Sequence, residues 1–234
     1  MSNATEARCL LRAHRYGALS TLSKKLAGFP FGSITPYLTE HDGSLLIYIS
    51  ELAEHTKNIA HDPRVSLITH NQSSPEIQMQ GRVTVAGNAQ RLADQQQPAA
   101  RYLRHFPGAA ELMKLDFAFY RIEPVAIRYI GGVGRIHWAN MDSYSVKNSA
   151  ELAAQEENLL NKINNQQQSI VCRLLKQCHE IDAGDAKVIG LDCDGLTVID
   201  EAQILRLNFA TTQTAPLLFE QFDQILWAKP SAGL

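Results

Sequence analysis

Ile49-Ser50-Glu51-Leu52-Ala53-Glu54-His55-Thr56-Lys57-Asn58-Ile59 lies between two runs of strand character, Ser44–Ile49 before it and Val65–His70 after it. The segment between the runs is short and polar, has helical character, and ends at Asp62-Pro63, where proline disfavours helix in the residue before it. A hydroxyl, an imidazole, a second hydroxyl and an ammonium therefore cluster where a strand hands over to a helix. Backbone N–H groups point outward at a helix start, and the helix dipole favours an anion there. Lys57 adds positive charge; Ser50 and Thr56 add neutral donors. The arrangement suits a phosphate or a propionate. The same spacing also fits an ordinary surface helix.

Working outward, the 234 residues suit one large domain or two small ones. With 45% hydrophobic and 20% charged residues the chain has the composition of a soluble globular protein. A net charge of -2 points away from a general nucleic-acid surface. No apolar run is long enough to cross a bilayer, and the N-terminal residues lack the charged and apolar regions of a secretory signal. Cys9, Cys172, Cys178 and Cys193 are scattered without a C-x-x-C pair. They read as reduced, buried thiols of a cytoplasmic protein.

Residues 5–16 have helical spacing, followed by a short strand at 17–22, a turn at 23–28 and a strand at 30–38 interrupted by Pro36. Asp42-Gly43 marks a hairpin turn. Alternation predicts a long strand over 76–86, helices over 90–106 and 109–115, and two final strands at 116–122 and 125–131. Six or seven short strands with a helix or two inserted indicate a closed or split antiparallel barrel. Near Asp142 the composition changes. Helical spacing runs from Ser149 to Gln177, then two strands flank the Asp194-Gly195 turn, a third spans 204–209, and Leu217–Ala228 reads as a closing helix. The expected fold is mainly β plus α+β: a split barrel over 5–140 and a small α+β domain over 149–230.

The order of these segments resembles the FMN-binding split barrel of pyridoxamine-phosphate-oxidase-like proteins, and more closely its haem-utilisation branch. The matching pieces are residues 17–22, Phe29-Pro-Phe-Gly-Ser33, Ile49–Asn58, Asp62–Leu67, Gly81–Val85, Asp116–Ile122 and Tyr129–Trp138, in the same order across about residues 8–140. Residues 150–230 resemble the small α+β domain that often follows the barrel in that branch. The resemblance implies a homodimer with two clefts at the subunit interface. It implies an FMN phosphate held at Ser50, Thr56 and Lys57, with Arg82 added from the next hairpin, and flavin contacts at Ser33 and Thr35. Two departures stand out. Haem-degrading members carry an axial histidine in a C-terminal tail, whereas no histidine follows His179 here. The paired histidines of the added domain's first helix are replaced by Asn161-Lys-Ile-Asn-Asn-Gln-Gln167.

The eight histidines form no zincin-like pattern. His55 sits in the anion-type motif, and binding to an anionic ligand or a helix-surface role fit it equally. His137 is followed by Trp138, which offers a stacking surface for a planar cofactor. A packed aromatic end of the barrel is the simpler expectation, with His137 a speculative haem ligand. His70 reads as structural; His14, His41, His61, His105 and His179 read as surface or capping residues. Gly131-Gly-Val-Gly134 lacks the dinucleotide-binding spacing, and Asp192-Cys-Asp-Gly195 reads as a hairpin turn rather than a calcium loop. Three functions compete: an FMN protein with possible oxidoreductase chemistry, a haem-binding or haem-degrading protein in iron acquisition, and a non-catalytic dimeric scaffold or regulator. The expectation favours a cytoplasmic homodimer with FMN ahead of haem, no resident metal ion, and neither nucleic acid nor membrane as partner.

Overall fold

In the computed structural model, residues 1–72, 75–214, 218, 222–225 and 227 are described. The chain begins with α1 (Asn3–Ala13), whose N-cap Ser2 accepts from the Thr5 N–H. It continues through β1 (Tyr16–Leu22), β2 (Pro30–Pro36), β3 (Leu38–Thr39), β4 (Leu45–Ser50), α2 (Glu54–His61), β5 (Arg64–His70), β6 (Arg82–Arg91), α3 (Ala99–His105), β7 (Phe117–Ile130) and β8 (Ile136–Ala139). These strands form one antiparallel sheet in the order β2-β1-β5-β6-β7-β4-β3, with β8 added on β7. The sheet curls into a split barrel. Alternation in β1, β5 and β6 turns Leu19, Val65, Leu67, Val83 and Val85 inward, where they meet Leu45, Ile47 and Ile49 of β4 and the apolar face of α1.

β4 does not alternate: every residue but Ser50 is buried. Its second face, Leu46 and Tyr48, packs with Tyr102, Phe106 and Phe119 beneath α3. A strand covered on both faces carries a continuous apolar run, which is what 45–49 shows.

Three expectations are corrected. Residues 76–80 form a turn, with Ile77 and Met79 about half exposed, and the strand runs from Arg82 to Arg91 instead. Residues 90–98 are not helical: Asp94 Oδ1 accepts from the N–H groups of Gln96 and Gln97, an Asx-type turn that competes with helix, so α3 starts only at Ala99; beyond it, residues 107–110 and 112–114 form short 3-10 turns. The two final strands are one 14-residue strand. It bends at Pro124, opposite Gly87, where the β6–β7 register shifts.

Beyond β8 come α4 (Met141–Tyr144), α5 (Ser149–Gln166), α6 (Gln168–His179), β9 (Lys187–Asp192), β10 (Gly195–Asp200) and β11 (Gln203–Asn208), the three strands pairing as a separate antiparallel sheet. This region has its own apolar cluster, built from Leu159, Leu160, Leu174 and Leu175 against Val188, Leu191, Leu196 and Val198. The expected closing helix at Leu217–Ala228 falls largely outside the described residues; within it, Phe222–Gln224 form a 3-10 turn. All four cysteines are free, Cys9 and Cys193 buried and Cys172 and Cys178 half-buried. No helix among the described residues is long and apolar enough to cross a membrane.

Candidate functional site

At the end of β4, Ser50 pairs with Phe117 of β7, and four residues later α2 begins. Ala53 is the N-cap and supplies no side-chain acceptor, so the N–H groups of the first turn face outward without a side-chain cap. Lys57 is exposed and makes no ion pair among the described residues. These two features fit an anion.

The neighbouring hydroxyls are already committed. Ser50 Oγ lies 3.1 Å from Asp116 Oδ2 and accepts from the Leu52 N–H at 3.1 Å. Thr56 is buried and donates back to the Ser50 carbonyl at 2.6 Å. It staples the helix to the strand end instead of facing a ligand. His55 is half-buried, and its Nε2 is enclosed without a hydrogen-bond partner. Burial lowers its pKa, so the imidazole is neutral near neutral pH and adds no charge. Glu51 lies beside the junction and accepts from exposed Arg91 at 2.8 Å.

The remaining expected residues lie elsewhere. Arg82 opens β6 opposite Ile130, whereas Ser50 stands opposite Phe117 at the other end of β7. The two ends are roughly 40 Å apart along an extended strand, so one chain does not bring Arg82 to Ser50. Arg82 instead donates to the Ile77 and Gln78 carbonyls. Ser33 and Thr35 share one face of β2, which the curl of the sheet brings alongside β4. Thr35 donates to the Pro36 carbonyl at 3.2 Å, while Ser33 Oγ is buried without a partner. His137 is half-buried on β8 opposite Tyr129. Trp138 is 65% exposed, with the Arg128 guanidinium 4.9 Å from its ring centroid. The aromatic end is therefore not packed. Because successive strand residues face opposite sides, His137 and Trp138 cannot serve the same face of one planar cofactor.

Two sets of residues were missed from sequence. Asn58 is fully buried; its Nδ2 donates to Thr21 Oγ1 and its Oδ1 accepts from the Lys24 N–H, both at 3.0 Å, locking α2 onto β1 and the turn after it. The second set is a buried ionic seam between the barrel and the C-terminal region. Arg8 forks onto Asp194 at 2.8 and 3.0 Å, Arg12 bonds Asp194 and Asp192, and Arg206 forks onto Asp192 at 2.7 Å. Glu156 receives Arg101 and Arg104, and His41 Nε2 lies 3.5 Å from it. His41 and His105 are thus buried seam residues, not surface ones. The legible signal was Arg8 and Arg12, four apart on the packed side of an amphipathic helix. Ligand atoms of Asp192, Cys193 and Asp194 lie within 4.8 Å of one another. The guanidiniums already neutralise both acids, and burial pushes the Cys193 thiol up to about 11, so the cluster reads as an ion-pair node rather than a metal site.

Residues 4–131, more than half the chain, match the sequence family described as Pyridoxamine 5'-phosphate oxidase. The chain belongs to the pyridoxamine 5'-phosphate oxidase family. This family member is 37% identical over 135 residues to the chloroplastic non-canonical heme oxygenase HOZ of Arabidopsis thaliana; the match covers 57% of this chain and 41% of that protein. It thus spans less than half of the plant relative. Among solved structures, a protein of unknown function from Agrobacterium tumefaciens superposes with a TM-score of 0.74 at 23% identity, covering 94% of both chains. That likeness establishes the fold through the C-terminal region. A heme binding protein from Mycobacterium smegmatis superposes with a TM-score of 0.57 at 26% identity, covering 96% of this chain and 94% of that one.

Proposed function

We propose that this chain binds an anionic planar cofactor as a homodimer, with haem ahead of FMN, and works in haem handling. The observation that carries the reading is the β4–α2 junction, where the helix start has no side-chain cap and exposed Lys57, in the same first turns, has no ion-pair partner among the described residues. A propionate or a phosphate at the edge of a planar ring has the charge and donor requirements of that junction. Asn58 and Thr56 hold the junction rigid, so that its donors are positioned before a ligand arrives. The sequence alone put FMN first. The plant haem oxygenase and the mycobacterial heme binding protein support placing haem ahead of it in this proposal.

When bound, haem supplies oxygen-activating iron chemistry and FMN supplies hydride and electron transfer; the protein supplies anchoring and orientation. Ser50 and Thr56 are withdrawn from direct anion contact, so Lys57 and the backbone carry the anchoring within one chain. FMN is retained as a second reading because Ser33 Oγ, buried and unpartnered beside β4, suits a hydrogen bond to a polar ring edge.

Support for a homodimer comes from the outer face of the sheet. Pairing registers place Ile34, Ala18, Ile68, Thr84, Arg128 and Trp138 in one row across six strands. Ile34 is 73% exposed and Trp138 65%. The adjacent row is Gly32, Ser20, Ser66, Ala86 and Ala126. Small side chains beside an exposed apolar row let a second copy approach closely.

Parallel titration with haemin and with FMN tests the reading. A sharp Soret band at stoichiometric haemin, weakened in Lys57→Ala at an unchanged unfolding midpoint, is the expected result. Quenched flavin fluorescence without a Soret change would restore FMN to first place. Saturable binding of neither cofactor would overturn the proposal.

A further inference from the structure

The barrel and the C-terminal sheet meet across a cleft walled by Arg12 of α1, Arg15 just after it, Thr39 of β3, Arg101 of α3, and Asp192 and Arg206 of the second sheet. Its charge is unbalanced. Among the described residues, six guanidiniums, those of Arg8, Arg12, Arg15, Arg101, Arg104 and Arg206, stand in this seam around the four carboxylates of Glu40, Glu156, Asp192 and Asp194.

Arg15 is the cation left over. It donates to the His105 carbonyl and stacks 4.4 Å from the Phe106 ring centroid, with no carboxylate partner among the described residues. Burial weakens its hold on the proton, with only distant phenol groups in opposition. His105 cannot be the compensating ligand, and it adds no positive charge of its own, because burial holds its pKa near 3.

Hydrogen bonding is unbalanced in the same place. Arg12 Nε, Arg15 Nε and Thr39 Oγ1 are all buried without a partner, and all three residues line the cleft. The Arg12 side chain is 3% exposed and Thr39 is 3% exposed. Buried donors without acceptors are rare and costly, and call for a water or an ion. Two guanidinium N–H donors with a surplus of positive charge select an anionic acceptor over water.

We propose that this cleft binds a small oxyanion of the phosphate class, held by Arg12, Arg15 and Thr39 between the barrel and the C-terminal sheet. No residue of α2 lines the cleft, so the site is separate from the cofactor junction there. Its occupant balances the seam's charge and joins the two regions through a shared ligand.

Calorimetric titration of the full chain with inorganic phosphate, against chloride at matched ionic strength, tests this. The expected result is saturable binding of one phosphate per chain. Affinity falls by about tenfold or more in Arg15→Gln, where a charge-assisted bond is lost, and by about two- to tenfold in Thr39→Val. Thr39→Val removes a hydroxyl with no protein partner, so it leaves folding intact and keeps the test decisive if Arg15→Gln is unstable. Heats no larger than those of chloride, or wild-type affinity in both cleft variants, which would place the phosphate elsewhere, would each overturn the proposal.

Discussion

Asn58 shows how one polar side chain sets the geometry of a site it does not occupy. It sits in a helix that begins at the proposed anchoring point, yet it faces inward and satisfies a hydroxyl on β1 and a backbone N–H after it. Removing it breaks both bonds and leaves Thr21 Oγ1 only its donation to the Phe31 carbonyl at 3.4 Å. Asn58→Ala is expected to cost about 1–3 kcal/mol, seen as a lower urea midpoint with an unchanged slope. An unchanged midpoint would mean that the contact with β1 contributes nothing. Lys57 next to it is the opposite case, exposed and unpaired. In the sequence the two residues are equally polar neighbours, and nothing in the motif distinguishes the inward amide from the outward ammonium. Thr56 illustrates the same ambiguity: read as a ligand donor, it turns out to bond its own strand end.

At the scale of elements, β7 carries the main lesson. Pro124 divides its sequence into two apparent strands, yet the chain stays in the sheet because proline lacks only the donor and β6 accommodates the bend opposite it. Gly87 makes that possible: a Cβ there would stand 2.3 Å from the Glu123 carbonyl oxygen. Gly87→Ala is therefore expected to destabilise the fold by about 1–3 kcal/mol through forced backbone movement. Chemical denaturation reads this directly, and a neutral result would show that the bend relaxes freely. β4 teaches the complementary point. Its unbroken apolar run was legible as a strand, but only the docking of α3 on its outer face explains why it does not alternate.

At the scale of the molecule, stability links the two regions through buried charge. His105, packed against Gly190 of β9, has its pKa lowered by burial from an unfolded value of about 6.5 to about 3. A depressed pKa means that the folded state excludes a proton which the unfolded state binds. This contribution is fully present above about pH 6.5 and drains away as pH falls toward 3. Asp192, Asp194 and Glu156 are held below the usual carboxylate range by the arginines around them, so their contribution persists down to about pH 4 and is lost below it. Urea midpoints measured from pH 8 to 4 should thus decline before these buried carboxylates titrate. A flat profile down to pH 4.5 would contradict the buried neutral His105. The outer sheet face makes a separate prediction. Ile34→Asp should convert a dimer to monomers in sedimentation velocity at an unchanged circular dichroism spectrum, and a wild-type monomer would remove the dimer from the functional reading.

The sequence by itself determined the succession of barrel strands along the chain, the helix between β4 and β5, the second α+β region and the family resemblance. Each of these rests on local signals: alternation, a proline, an Asp-Gly turn, an apolar run. The tertiary structure decided what each polar residue does. It separated Arg82 from Ser50 by the length of β7, put His137 and Trp138 on opposite faces, and drew Arg8 and Arg12 onto acids more than 180 residues away. Periodicity reports which side of an element a residue occupies. It carries no information about which distant group waits on that side, because that depends on how the sheet curls and where the C-terminal region docks.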